Sequence, residues 1–109
     1  MRGCSEGNGR LRVISEKRLR DFWARHPDAE LPLRSWLAVT QSAKWRHISD
    51  TRRDFPHADA AGRCTVFNVK GNTYRLITAI HYNKQRVFIR SVMTHSEYDQ
   101  GGWRSDCGC

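Results

Sequence analysis

The sequence predicts an α+β fold: two antiparallel helices packed on a twisted antiparallel β-sheet, with a short N-terminal strand before them and a short C-terminal helical turn after the sheet. Three observations predict it. Apolar residues recur at helical spacing in the first half of the chain, three segments rich in β-branched and aromatic residues occupy the second half, and the turns between those segments are short enough for hairpins. Helices and strands are thus segregated, and consecutive strands can pair as a meander.

Leu11, Arg12, Val13 and Ile14 form a short candidate strand. Ser15 is placed to cap a first helix, whose buried face carries Leu19, Phe22, Trp23 and His26 at i, i+3, i+4 and i+7. Pro27 ends it, and Asp28 is placed to cap a second helix with Leu33, Trp36, Leu37 and Thr40 on its inner face. Pro32 is tolerated there because the first turn of a helix leaves its backbone N–H groups without intrahelical partners. Residues 43–63 are polar and irregular, with one helical turn expected near 50–55 before Pro56. Strands follow at 64–69, 74–82 and 86–94, separated by Lys70-Gly71-Asn72 and Asn83-Lys84-Gln85.

A chain of 109 residues holds one ordinary domain. Residues 1–10 are Gly-rich and polar and are expected to form a disordered leader; 11–100 form the domain; 101–109 are expected as a flexible tail, although Trp103 is able to dock onto the body. With 39% hydrophobic and 28% charged residues, a wholly disordered or fibrous chain is excluded. No apolar run approaches the roughly 20 residues that cross a bilayer, so a soluble cytoplasmic protein without a membrane partner is expected. Lys plus Arg total 19 against 11 Asp plus Glu, a net charge of +8 that attracts polyanions, nucleic acid foremost. Cys4, Cys64, Cys107 and Cys109 contain no C-x-x-C pair. The expectation is a buried thiol at Cys64 and three thiols in loose tails, with no metal site.

The candidate chemistry lies on the meander. Arg75 and Arg90 interrupt otherwise apolar strands, where an unpaired buried cation costs several kcal/mol. Each fits either a phosphate contact or an ordinary solvated sheet face, and Lys70 beside the hairpin turn fits a surface lysine equally well. Thr94-His95-Ser96-Glu97 is the only S/T-x-x-E/Q sequence in the chain, a capping box that starts a short helix. Tyr98 then shares a face with His95 at i+3, and Asp99 at i+4 is placed to orient the imidazole. Histidine, tyrosine and arginine together suit metal-independent cleavage of RNA. One group takes the 2′-OH proton, another protonates the leaving 5′-oxygen, and cations stabilise the transition state. The plainer reading is a terminal helix whose His and Tyr only cap the sheet. His26 and His47 read as structural, His57 reaches a site only if its loop folds over the sheet, and the face taken by His81 is open.

From Arg12 to Asp99, about four fifths of the chain, the sequence resembles the HigB-type toxins of type II toxin–antitoxin systems, within the RelE superfamily. The resemblance rests on RVISEKRLRDFWARHPDAE, on VFNVKGNTYRLITAIHYNKQRVFIR and on the closing THSEYD, in that order. It implies a RelE-like fold and an mRNA endoribonuclease (interferase) that arrests translation, cleaving on the ribosome in relatives such as RelE. It also implies catalysis without cofactors or metals, and a cognate helix-turn-helix antitoxin as partner. By position, Arg75 matches the phosphate-binding arginine of such enzymes, His95 their catalytic basic residue, and Tyr98 or Asp99 the neighbourhood of their terminal tyrosine. The resemblance therefore implies a catalytic set of Arg75, His95 and Tyr98, with Asn68, Lys70, Arg90 and Asp99 as RNA contacts. The lysine pair of RelE is replaced here by Phe67-Asn68-Val69-Lys70, so that Lys70 or His95 would have to supply the general base. Relatives typically begin M-R-V-I-S, which implies that translation starts at position 11 from a non-AUG codon. Two other readings keep the same shape: a non-catalytic RNA- or ribosome-binding module, and an antitoxin-docking protein that has lost activity.

Overall fold

Successive residues of a strand face opposite sides of the central sheet, and different parts of the chain cover the two sides. A computed structural model describes residues 11–108; the expected leader, with Cys4, and Cys109 lie outside the described residues. Strand β1 (Arg12–Ile14) leads into α1 (Lys17–Arg25), a 3-10 turn (Pro27–Ala29), α2 (Glu30–Ser42) and α3 (Ile48–Asp54). Strands β2 (Asp59–Ala61), β3 (Cys64–Val69), β4 (Tyr74–His81) and β5 (Arg86–Thr94) follow, then α4 (His95–Gln100) and α5 (Trp103–Asp106). No helix among the described residues is long and apolar enough to cross a membrane.

The five strands lie in the order β1-β5-β4-β3-β2. The β2–β3–β4–β5 meander is antiparallel, with Asn68 opposite Arg75 and Arg75 opposite Met93. β1 instead runs parallel to β5, Val13 beside Val87, so the sheet is mixed rather than antiparallel throughout. No hairpin joins those two strands, so nothing local dictates their relative direction. β2 escaped the sequence reading because three residues, Asp-Ala-Ala, are too few to display a period. Between Ile77 and Thr78 the register shifts: Ile77 faces Ser91 and Thr78 faces Ile89, leaving Arg90 as the extra residue of a bulge.

One face of the sheet packs on α1 and α2 through Leu19, Phe22, Leu33 and Trp36 against Phe67, Leu76, Val87 and Ile89. The helical spacing read in the sequence thus holds, but the expected caps do not. Ser15 takes a left-handed φ of 72°, and its carbonyl, not its hydroxyl, receives the Arg18 N–H at 3.0 Å. Asp28 lies in the 3-10 turn and gives its carboxylate to Lys70 Nζ and to the Tyr74 hydroxyl, each at 2.7 Å. A charged and a phenolic donor together outbid a single backbone N–H for that carboxylate. The segment taken as a polar connector supplies a core residue: Trp45 is 2% exposed, stacks near Phe67, and donates from Nε1 to Asp54 at 2.8 Å.

The opposite face corrects two expectations. Cys64, Val66 and Ile77 pack with Trp103 and Cys107, so the described part of the expected tail, 101–108, is folded onto the sheet. Cys64 is no free thiol; it is disulfide-bonded to Cys107, 43 residues away. Neither partner lies in a loose tail, because the apolar side of Trp103 needs cover and the strand offers it.

Candidate active site

The β3–β4 turn builds the centre of the site. Lys70 and Gly71 both take left-handed backbone angles, φ 53° and 63°, and glycine meets that demand without strain. The turn exposes the Asn72 carbonyl toward two side chains. Arg75, the second residue of β4, folds its guanidinium back so that Nη1 donates to Asn72 O at 3.1 Å and to Tyr74 O at 3.2 Å. Nη2 reaches Asn72 Oδ1 at 3.5 Å. Arg75 is only 8% exposed, and among the described residues no carboxylate pairs with it. Its positive charge is met by carbonyl oxygens and by the Tyr98 ring, whose centroid lies 5.1 Å from the guanidinium carbon.

His95 arrives from the other side. Thr94 caps α4 as its spacing predicts: Glu97 N–H donates to Thr94 Oγ1 at 3.2 Å and the Glu97 carboxylate accepts from Thr94 N–H at 2.9 Å. His95 N–H donates to Thr73 O at 3.1 Å, which pins the helix start to the turn. The imidazole then places Nδ1 3.2 Å from Asn72 O and Nε2 3.1 Å from the Asp99 carboxylate. Both neighbours are acceptors, so the ring makes both bonds only as a doubly protonated imidazolium. The side chain is half exposed. Arg75 and His95 therefore meet at one atom, the Asn72 carbonyl oxygen.

Tyr98 supports this pair from below. Its ring stacks on Trp103, 4.9 Å between centroids and 11° from parallel, and the Trp103 indole donates to the Tyr98 carbonyl at 3.0 Å. α4 ends at Gly101, whose φ of 80° lets the chain turn back so that Trp103 can reach that position. The contacts of Tyr98 are those of a stacking platform under the guanidinium.

The structure brings together Asn68, Arg75, His95, Tyr98 and Asp99, but not all the sequence candidates. Asn68 faces Arg75 across the β3–β4 pair and its amide contacts Asn72 at 3.5 Å. Lys70 is tied to Asp28 on the helix side, and Lys70 with Tyr74 holds the Asp28 carboxyl below its ordinary value of 3.8. The same bond to Asp28 raises the Tyr74 phenol above 10.0. Arg90 stands elsewhere: the bulge and α5 separate it from His95, and its Nη2 contacts the Asp106 carbonyl at 3.5 Å. One residue was missed. Asn72 was read only as a turn residue, and nothing in the sequence shows that its carbonyl joins two cations. His57 lies on a loop that does fold over the sheet, lining a groove of about 540 Å³ with Asn68, Gly71 and Asn72. No group of three or more metal-ligating side chains occurs among the described residues.

A mixed sheet with two helices on one face, and an arginine and a histidine gathered at the end of its central strands, has the architecture of a RelE-like toxin. Residues 29–101 match the family model of HigB toxins, described as the RelE-like toxic component of a toxin–antitoxin system. The mRNA interferase toxin HigB of Escherichia coli K12 is 28% identical over 92 residues, covering 82% of this chain and 88% of the relative. The mRNA interferase HigB of Shigella flexneri matches to the same extent, and that of Escherichia coli O6:H1 is 26% identical over 93 residues, 83% of this chain and 90% of the relative. The chain belongs to the HigB toxin family.

Proposed function

We propose that this toxin is an endoribonuclease that cleaves messenger RNA and so inhibits translation. Its partners are that RNA, bound on the ribosome, and a cognate helix-turn-helix antitoxin, all in the cytoplasm. The observation that carries the reading is the buried guanidinium of Arg75. A charge taken out of water costs several kcal/mol unless an anion meets it, and here only neutral groups do so. A phosphate diester completes the arrangement, and the imidazole that shares the Asn72 carbonyl lies within reach of its ester oxygens.

The chemistry is metal-independent attack by the 2′-OH. The 2′-oxygen bonds to phosphorus as its proton leaves to a base, the P–O5′ bond breaks, and the 5′-oxygen takes a proton. The products are a 2′,3′-cyclic phosphate and a 5′-hydroxyl. His95, with acceptors on both nitrogens, suits the acid that protonates the 5′-oxygen, and Asp99 positions its ring. His57, which lines the groove with Asn68 and Asn72, suits the base; Lys70 does not, because Asp28 holds it. Arg75 stabilises the charge on the phosphorane-like transition state, while Tyr98 keeps the guanidinium in place.

The test is expression and cleavage with variants. His95→Ala and Arg75→Ala are each expected to slow cleavage by about 10²- to 10⁴-fold and to relieve growth arrest while the fold is kept. Equal toxicity from well-folded variants would instead favour the non-catalytic RNA- or ribosome-binding module. Sequencing RNA ends after brief induction reads ribosome dependence directly, since cuts made on the ribosome follow codon register.

A further inference from the structure

The end of the open face farthest from His95 carries a second concentration of charge. Arg12, Arg86 and His81 stand side by side across β1, β5 and β4, on the face opposite Val13, Val87 and Ile80, which pack in the core. All three are exposed. Beside them, Arg18 and Arg90 line with His81 and Phe88 a cavity of about 550 Å³. Among the described residues none of the four arginines forms an ion pair. The one carboxylate residue lining the cavity, Asp106, meets Arg90 through its backbone carbonyl.

Phe88 lies within this cationic frame. It is half-buried and leans on the His81 ring edge-on, 5.1 Å between centroids. Four residues of β5, Ser91 to Thr94, lie between Arg90 and His95, five steps or roughly 16 Å at about 3.3 Å per residue, on a strand shared by both ends of the face. An apolar partner would find little to bury here, whereas cations around a half-exposed aromatic ring are what single-stranded nucleic acid requires.

We infer that this patch is a second binding platform for single-stranded RNA, separate from the cleavage site, where a base stacks on Phe88 beside the edge-on His81 ring and phosphates lie on Arg18, Arg86 and Arg90. It holds the substrate strand a few nucleotides from the scissile bond. The inference rests on the RNA reading above, but it is tested by binding alone, so that the two can fail separately.

The experiment measures the affinity of the whole protein for a single-stranded RNA of about 12 nucleotides, made uncleavable by 2′-O-methyl groups, and for one of about 4 nucleotides. The longer RNA should bind more tightly. In the double variant R86Q/R90Q that advantage should disappear, and the slope of log K against log salt should fall by about 1.4, near 0.7 for each lost phosphate contact. Phe88→Ala should weaken the longer RNA at least about fivefold with the salt slope kept, and Phe88→Leu separates stacking from simple packing. If R86Q/R90Q, folded by circular dichroism, keeps both the length advantage and the slope, the platform does not exist. If it keeps them but no longer binds its antitoxin, the patch serves an acidic protein partner and the inference is overturned. Absence of cleavage by the wild type would defeat the proposed function, while a length advantage sensitive to R86Q/R90Q would still sustain the platform.

Discussion

Toward α1 and α2 the sheet presents Phe67, Leu76, Val87 and Ile89, all close to fully buried, beneath two helices that together span 22 residues, 9 in α1 and 13 in α2. Among the described residues, the cover of the other face is the four-residue α5 at its middle, held by one buried indole, a disulfide and a ring stack. The contrast separates two ways of stabilising a sheet. A broad apolar layer needs no special fastening, because each buried side chain contributes about 1.5–3 kcal/mol. A cover of one turn buries too little for that, and a covalent tie and stacking make up the difference. Among the described residues the cations of this face lie to either side of that cover, Arg75 and His95 at one end, Arg86 and Arg90 at the other.

The comparison can be broken first on the broad face. Phe67→Ala should cost about 3–5 kcal/mol in urea denaturation, because Phe67 packs fully buried against the rings of Trp36, Trp45 and Phe55. A loss under about 1 kcal/mol would show that this layer is not the dominant core.

On the thin face, Cys107→Ser should cost about 2–4 kcal/mol under oxidising conditions; chain entropy for a loop of 43 residues gives about 4. Dithiothreitol should bring the wild type down to the variant. Equal stability of oxidised wild type and variant would mean that Trp103 holds α5 unaided.

The smallest effect sharpens the boundary between the faces, where Asp28 reaches from the helical side to Lys70 and Tyr74. The Asp28 carboxyl is depressed in the folded protein, so its contribution is present above the unfolded value and is lost as pH falls through the folded one. Thermal melts of wild type and Asp28→Asn should therefore differ slightly at pH 7 and converge below pH 3.8. The raised Tyr74 phenol keeps its proton, and the bond, until pH climbs above 10.0. A difference that persists in acid would mean that Asp28 acts through the turn geometry and not through its charge.

Interactions between residues close in sequence were legible throughout. The capping box at Thr94 and Glu97, the His95–Asp99 pair and the helical stripe through Leu19 and Phe22 all lie within four residues, where backbone geometry alone brings side chains together. The three principal strands were legible by their composition and short turns. The site was legible in part: Arg75, His95, Tyr98 and Asp99 lie together and His57 lines the groove beside them, its loop folding as its reading required, whereas Asn72 did not announce itself. Arg75 and Arg90 look alike in the sequence, each a cation in an apolar strand, and a bulge with a helix laid across the face sends them to different ends.

By itself, then, the sequence determined the alternation of helix and strand, the positive charge that seeks a polyanion, and the start of α4, because each depends on composition or on neighbours a few residues away. Only the tertiary structure decided that Asp28 would hold Lys70 instead of capping a helix, that Cys64 would find Cys107, that Trp45 would enter the core, and that one carbonyl would join Arg75 to His95. Those outcomes depend on chain segments that approach one another only once the sheet is formed. When many donors compete for one acceptor, the partner is chosen by where the packed backbone carries it, and no local pattern records that choice.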